Sequence, residues 1–315
     1  MSSSSDPNGP RDPRAGFRTV LVPLDFSEHS AHALRLAIAL ARGSGATLHL
    51  VHAYEVPLGA IPPYGVAIPE TLLAQVRDAA ARRLEKASHE VDDAGLPCEI
   101  HVVQGPAADA IVEETKRLAA DLIVMGTRGH TGLKHVLLGS VAERTVRMAP
   151  CPVLTARLPS RSEEPAGPFR RILVPLDFSK HAEAALALAI DLAKQSGAEI
   201  HLVHAYELPT AVTMAYGVAI PQSVWDGVQE AAQARLDEGR KKVAEAGVKV
   251  STHVASGPAA DAIAHAAETF GADLIVMGTR GLTGLKHVLL GSVAERTIRT
   301  APCPVLTVKA DAGES

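Results

Sequence analysis

The segment Leu21-Val22-Pro23-Leu24-Asp25-Phe26-Ser27 returns as Leu173-Val174-Pro175-Leu176-Asp177-Phe178-Ser179, a shift of 152 residues. The same shift carries His52-Ala53-Tyr54-Glu55 onto His204-Ala205-Tyr206-Glu207 and Gly105-Pro106-Ala107-Ala108-Asp109 onto the run from Gly257 to Asp261, with no insertion or deletion between these anchors. A period this long is a domain rather than a solenoid unit, so the 315-residue chain is constrained to fold as two copies of one domain. Domains are predicted at 17–157 and 170–309. The segment between them, 158–169, holds three prolines, a glycine, two serines and two glutamates and reads as an exposed linker. Residues 1–16 read as a disordered lead-in and 310–315 as a short tail.

Within each copy, apolar β-rich runs alternate with Ala- and Leu-rich stretches of helical period. In the first copy strands are expected at Thr19 to Leu24, Ala46 to Ala53, Cys98 to Gln104, Leu122 to Met125 and Pro152 to Thr155. Helices are expected over Ser30 to Arg42, Glu70 to Asp93, Asp109 to Ala119 and Ser140 to Arg147. Alternation of this kind requires right-handed crossovers and a parallel sheet covered on both faces. The predicted fold class is α/β, two tandem doubly wound domains, each with a five-stranded parallel sheet. The short apolar runs Pro152 to Thr155 and Pro304 to Thr307 would lie at sheet edges, where an unpaired strand invites pairing. An intramolecular pseudo-twofold dimer of the halves is the expectation, and a homodimer of the chain stays open.

Charge and cysteine usage narrow the function. A formal net charge of −4 lacks the concentrated positive field that nucleic acid or an acidic membrane surface requires. Three cysteines without CxxC spacing read as unpaired thiols of a reducing compartment. No apolar run approaches a membrane span, and the Ser-, Pro- and Asp-rich start lacks the apolar core of a signal peptide, so a cytoplasmic location is expected.

In doubly wound sheets, ligands bind outside the carboxyl ends of the strands, where helix N-termini converge. Directly after the run Leu122 to Met125 comes Gly126-Thr127-Arg128-Gly129, then nine residues, then Gly139-Ser140 opening a helix. The second copy repeats this as Gly278-Thr279-Arg280-Gly281 and Gly291-Ser292. Glycines let backbone N–H groups approach an anion, and a helix N-terminus adds unpaired donors and a positive dipole end, which suits a polyphosphate. The spacing is neither a Walker loop nor Gly-x-Gly-x-x-Gly; Lys134 and Lys286 sit mid-loop. A reading without ligand is available, since Ser140 to Glu143 and Ser292 to Glu295 have the form of capping boxes. Asp25 and Asp177 end the first strand of each copy, where a carboxylate either accepts from ribose hydroxyls or a base amine or caps the next helix, with Ser27 as rival cap in the first copy. His49 and His52, three apart on a strand, point to opposite faces and do not chelate together. His29 and His32 can share a helix face, but Ala184 replaces the second in the other copy, and no metal site is assigned.

With Val-Pro-Leu-Asp-Phe-Ser after the first strand and Gly-x2-Gly-x9-Gly-Ser before the last helix, the chain resembles the universal stress protein family in its tandem two-domain form. The resemblance spans nearly the whole sequence. It implies an adenine nucleotide alpha hydrolase-like doubly wound fold and membership of the branch that binds ATP; Mg²⁺ would accompany it through the phosphates and water, needing few protein ligands. It also implies roles. Asp25 and Asp177 would hold ribose or adenine, and Ala53 and Ala205 would offer backbone groups to the base edge. Gly105 and Gly257 would form part of the ribose wall. Gly126, Gly129, Gly139 and Ser140, with Gly278, Gly281, Gly291 and Ser292, would cradle phosphates, beside Arg128 and Arg280. From Asp121 to Thr155 and from Asp273 to Thr307 the copies differ only at His130/Leu282, Val146/Ile298 and Met148/Thr300, so both sites are expected to be competent.

Three functional readings follow: an ATP-binding stress regulator whose bound state a protein partner recognises, a slow ATPase or phosphotransferase, and a scaffold with vestigial sites. Phosphoryl transfer needs a base or water-positioning group. The loops carry no carboxylate, which leaves His135 and His287 as the candidates.

Overall fold

The structure is a computed structural model and describes residues 16–55, 70–129, 138–158, 169–207, 221–281 and 290–310. The first half runs β1 (Thr19–Pro23), α1 (Glu28–Ser44), β2 (Thr47–Tyr54), α2 (Glu70–Asp92), β3 (Cys98–Gln104), α3 (Ala107–Arg117), β4 (Leu122–Gly126), α4 (Ser140–Met148) and β5 (Val153–Ala156). The second runs β6 (Arg171–Pro175), α5 (Lys180–Ser196), β7 (Glu199–Tyr206), α6 (Gln222–Glu245), β8 (Val250–Ser256), α7 (Ala259–Phe270), β9 (Leu274–Gly278), α8 (Ser292–Thr300) and β10 (Val305–Val308). The linker read at 158–169 and both termini lie almost entirely outside the described residues.

Each half is the expected five-stranded parallel sheet, and together they form one sheet of order β3-β2-β1-β4-β5-β10-β9-β6-β7-β8. Alternate strand residues face opposite sides. Val20, Val22, Leu48, Leu50, Leu122 and Val124 pack with Leu34 of α1 and Leu84 of α2. Leu21, Val51, Ile123 and Met125 pack on the other face with Ile111 of α3 and Val146 of α4. Burying each such side chain contributes roughly 1.5–3 kcal/mol.

The halves meet through their last strands: β10 pairs antiparallel with β5, with Leu306 opposite Leu154. Thr155 Oγ1 donates to the Val305 carbonyl and Thr307 Oγ1 to that of Val153, each at 3.1 Å. Lys309 Nζ reaches across to the Arg147 and Ala149 carbonyls at the end of α4, both at 2.7 Å. Its pseudo-equivalent Arg157 donates to the Arg299 carbonyl at 3.4 Å.

Among the described residues, one helix per half starts with a conventional side-chain cap. Ser27 and Ser179 accept through their hydroxyls from the N–H groups of Ser30 and Ala182. Asp25 and Asp177 are therefore not the caps; each supports the residue that is.

Candidate functional site

Parallel pairing of β1 with β2 and β4 brings the carboxyl ends of three strands together beside the start of α4. A cavity of about 310 Å³ opens there, lined by Asp25, Ala53, Gly126, Arg128, Gly129, Gly139 and Ser140 among others. The second half holds one of about 480 Å³ lined by Asp177, Ala205, Gly278, Arg280, Gly281, Gly291 and Ser292. Fourteen of the sixteen residues singled out in the sequence thus converge on the two cavities. Gly105 and Gly257 are not among the lining residues. They end β3 and β8 with φ of 141° and 116°, a region that favours glycine, and their N–H groups donate to the carbonyls of Tyr54 and Tyr206.

At the end of β1 the chain makes a strained turn. Phe26 and Phe178 have φ of 64° and 65°, left-handed values that cost a side chain-bearing residue roughly 1–2 kcal/mol. At this turn the Ser27 N–H and Oγ donate to Asp25 Oδ1 at 3.0 and 2.6 Å, and Ser179 repeats the pair on Asp177 at 3.0 and 2.7 Å. Arg83 lies over the Phe26 ring and Arg235 over Phe178, 4.0 and 4.1 Å from the centroids. Each ring also packs, tilted, against His52 or His204, whose Nδ1 is 2.7 or 2.6 Å from the Leu24 or Leu176 carbonyl. The phenylalanines, which hold the turn beside the aspartates, were given no role in the sequence, and His52 was weighed there only as a metal ligand; the signal is a bulky residue between Asp and Ser in both copies.

The glycines have steric causes within the protein. A Cβ on Gly129 would sit 2.5 Å from Asp25 Oδ2, and one on Gly281 at the same distance from Asp177 Oδ2. On Gly126 it would meet the His29 backbone at 2.9 Å, and on Gly139 the Thr127 carbonyl at 3.2 Å. The glycine pattern therefore keeps α1, the strand-end carboxylate and the two loop ends in close approach.

The capping-box expectation is overturned. Gly139 and Gly291 occupy the N-cap positions of α4 and α8, Ser140 and Ser292 are the first helical residues, and no side chain caps either helix. The first-turn N–H groups have no intrahelical partner by construction of the α-helix. In the first half Ser140, Val141 and Ala142, which carry these donors, line the cavity. Nearby, Arg128 and Arg280 form no ion pair among the described residues. Burial, and then the adjacent Arg128, hold His29 below the usual histidine range; burial and Arg280 do the same to His181. The Thr279 hydroxyl, buried in the wall of the second cavity, has no hydrogen-bond partner among the described residues. Donors and positive charge thus line the same space as the strand-end carboxylate, which lies against Gly129 or Gly281. Lys134, His135, Lys286 and His287 lie outside the described residues.

The family model for "Universal stress protein family" matches residues 16–157 and again 168–309. The chain belongs to the universal stress protein family. A universal stress protein of Methanocaldococcus jannaschii is 40% identical over 146 residues, 45% of this chain and 82% of the relative. One from Mycobacterium bovis is 28% identical over 303 residues, 92% of this chain and 96% of its own length, so the tandem form recurs. The crystal structure of a universal stress protein from Archaeoglobus fulgidus superposes with a TM-score of 0.69 at 24% identity, covering 93% of this chain and 98% of that one, which shows a shared fold. As a universal stress protein the chain has no described helix long and apolar enough to cross a membrane.

Outside both cavities, one further grouping has metal-ligand geometry among the described residues: His49, Glu99 and His101. The sequence reading weighed His49 only against His52 on its own strand and rejected that pair, whereas the histidine His49 meets, His101, stands on β3, across the sheet.

Proposed function

We propose that each half of this universal stress protein binds an adenine nucleotide, ATP with Mg²⁺, and that the bound state regulates a stress response by presenting an altered surface to a protein partner. The carrying observation is the uncapped N-terminus of α4, and of α8, opening on a cavity beside an arginine that has no carboxylate partner among the described residues. A capped helix would have met its own donors; this one leaves them for an anion. The cradle fits a nucleotide in polarity as well. Phosphates would lie against Gly126, Gly129, Gly139, Ser140 and Arg128, and ribose or adenine would donate to Asp25 with Ala53 at the base edge. The second half would use Gly278, Gly281, Gly291, Ser292, Arg280, Asp177 and Ala205. Mg²⁺ would be held chiefly by phosphate oxygens and water.

The described cavity walls favour binding over turnover. Asp25 Oδ1 already accepts from Ser27, and His52 Nδ1 is engaged with the Leu24 carbonyl. Ground-state donors alone do not accelerate phosphoryl transfer. Mass spectrometry of the nucleotide released on denaturing the purified protein, with calorimetric titration of nucleotide-free protein, tests the reading. Two equivalents of ATP per chain are expected. At ATP near 100 times its dissociation constant one site raises stability by about 2.7 kcal/mol. No heat and no thermal shift with any adenine nucleotide would leave the scaffold reading in its place.

A further inference from the structure

On the sheet face covered by α3, at the outer edge of the first half, β2 and β3 place His49 opposite Glu99 and His101 one pleat further along the same face. His49 Nδ1 lies 3.0 Å from His101 Nε2 and 3.5 Å from Glu99 Oε2, and His101 Nε2 lies 3.8 Å from that oxygen. A tetrahedral zinc ion with bonds of about 2.0–2.2 Å holds its ligands about 3.3–3.5 Å apart, so the three donor atoms bracket the edge of such a polyhedron. We propose that this cluster is a binding site for a divalent transition metal of the zinc type, with His49, His101 and Glu99 as ligands and water in the fourth position.

The surroundings fit that assignment. Zinc-bound imidazoles commonly present their second nitrogen to a carboxylate, which fixes the ring and raises its basicity. Here His101 Nδ1 is 3.2 Å from Glu114 Oε1 and 3.2 Å from Arg117 Nη2; with its proton on Nδ1 donated to Glu114, Nε2 is left for the metal, and Glu114 is held in turn by Arg117, whose Nε donates to Oε2 at 2.9 Å. His49 is buried while the Glu99 side chain is 61% exposed, which gives an ion and its water a path from solvent. Two carboxylates against one guanidinium leave negative charge for a dication, and imidazole with carboxylate suits zinc better than magnesium or calcium. The site lies about four residues, roughly 13 Å, down β2 from Ala53 at the nucleotide cavity, so the two are separate. Its geometric effect is to tie the edge strand β3 to β2 and, through Glu114, to α3.

The second half supplies the internal control. Ser251 replaces Glu99, Ala266 replaces Glu114 and Thr269 replaces Arg117, while both histidines persist as His201 and His253. There Phe270 stacks on both rings, 4.9 and 4.2 Å between centroids, and His201 Nδ1 turns to Ser251 Oγ at 2.7 Å. The site is therefore expected once per chain.

The test uses tag-free, chelator-treated, nucleotide-free full-length protein titrated with Co²⁺ and followed by visible absorption, then displaced by Zn²⁺. One equivalent of tetrahedral cobalt without thiolate charge transfer is expected. His101→Gln and Glu99→Gln should each weaken it at least tenfold, Glu114→Gln by about 10- to 100-fold, and His253→Gln not at all. Glu99→Gln alters an exposed side chain, and circular dichroism reports whether each variant is folded. Absence of a tetrahedral spectrum with the parent protein at tens of micromolar overturns the proposal and leaves a plain imidazole–imidazole hydrogen bond. So does an affinity unchanged in folded Glu99→Gln and His101→Gln.

Discussion

The two halves have kept one region nearly letter for letter and rebuilt another. Their cavities share the same strand-end Asp, the same left-handed Phe and the same uncapped helix start. On the face under α3 and α7 they part: the first half sets two carboxylates and an arginine around its histidine pair, the second a phenyl ring and the single carboxylate of Glu199. A charged cluster on a partly exposed sheet face is held by hydrogen bonds that each need a partner, whereas a phenyl ring over the same imidazoles stabilises by area and stacking. The same scaffold therefore tolerates either solution at this edge. At the cavity mouth the steric constraints are tighter, since a Cβ on Gly129 or Gly281 would overlap a carboxylate oxygen.

That steric identity gives the largest expected effect. Gly129→Val alone should remove nucleotide binding from the first half by driving the side chain into Asp25 Oδ2, and Gly281→Val should do the same in the second. Calorimetric stoichiometry should fall from two to one in either variant and to zero in the double variant. Both singles retaining two equivalents would break the equivalence of the cavities and the assignment of these glycines to them.

A second test sharpens the contrast at the sheet face. Carrying the first-half side chains across, as Ser251→Glu, Ala266→Glu and Phe270→Leu together, should raise the cobalt stoichiometry from one to two. The new site is expected to be weaker, because Thr269 offers no guanidinium to hold the second carboxylate. A stoichiometry that stays at one, with the first site intact, would mean that the surroundings of His201 and His253, not their strand register, which matches that of β2 and β3, keep the two rings from a metal.

Legibility followed the range of the interaction. The repeat, the strand–helix alternation and the convergence of Asp25 with Gly126 and Gly139 could be read from the chain because each is a local pattern placed by a topological rule. The pairing of β5 with β10 was legible from their short apolar edges. What failed was the assignment of Ser140 and Ser292 as caps: a Ser-x-x-Glu string fits a capping box, but the helix starts one residue earlier than that requires, with glycine at the cap. The His49–His101 contact was invisible for a different reason. It depends on the register of β2 against β3, 52 residues apart, and no local pattern carries that.

The joint between the halves is itself unequal, and pH reads the inequality. Burial, with Arg280 nearby, pushes Lys309 from 10.5 down to about 8, while it spans to the end of α4. Between those values the unfolded chain holds the proton and the folded chain releases it, so the contribution of Lys309 to stability grows as pH rises through the window and is lost as pH falls to 8. The slope is bounded by about 1.4 kcal/mol per pH unit and reduced by solvent screening. Comparing denaturation of the parent with Lys309→Met isolates it, because the raised thiols of Cys98 and Cys303, which act in the opposite sense, are common to both. A parent-minus-variant difference that is flat from pH 8 to 10.5 would show that Lys309 titrates as in water.

The smallest effect comes from the loop after α3 and α7. The chain leaves each helix through a left-handed residue, Ala119 at φ 48° in the first half and Gly271 at φ 57° in the second. Alanine in that region costs roughly 1–2 kcal/mol, and glycine avoids this but loses about 0.4–1 kcal/mol to the greater freedom of the unfolded chain. Ala119→Gly should therefore stabilise the first half by about 0.5–1 kcal/mol, a rise in Tm on the order of 2 °C. Gly271→Ala should do the reverse by somewhat more, since its Cβ would also meet the Arg171 guanidinium at 3.2 Å. Opposite signs in the two variants would show that the halves share this backbone turn and differ only in how well the residue suits it; a loss of stability in both would mean that Ala119 is held by contacts that the turn geometry does not explain.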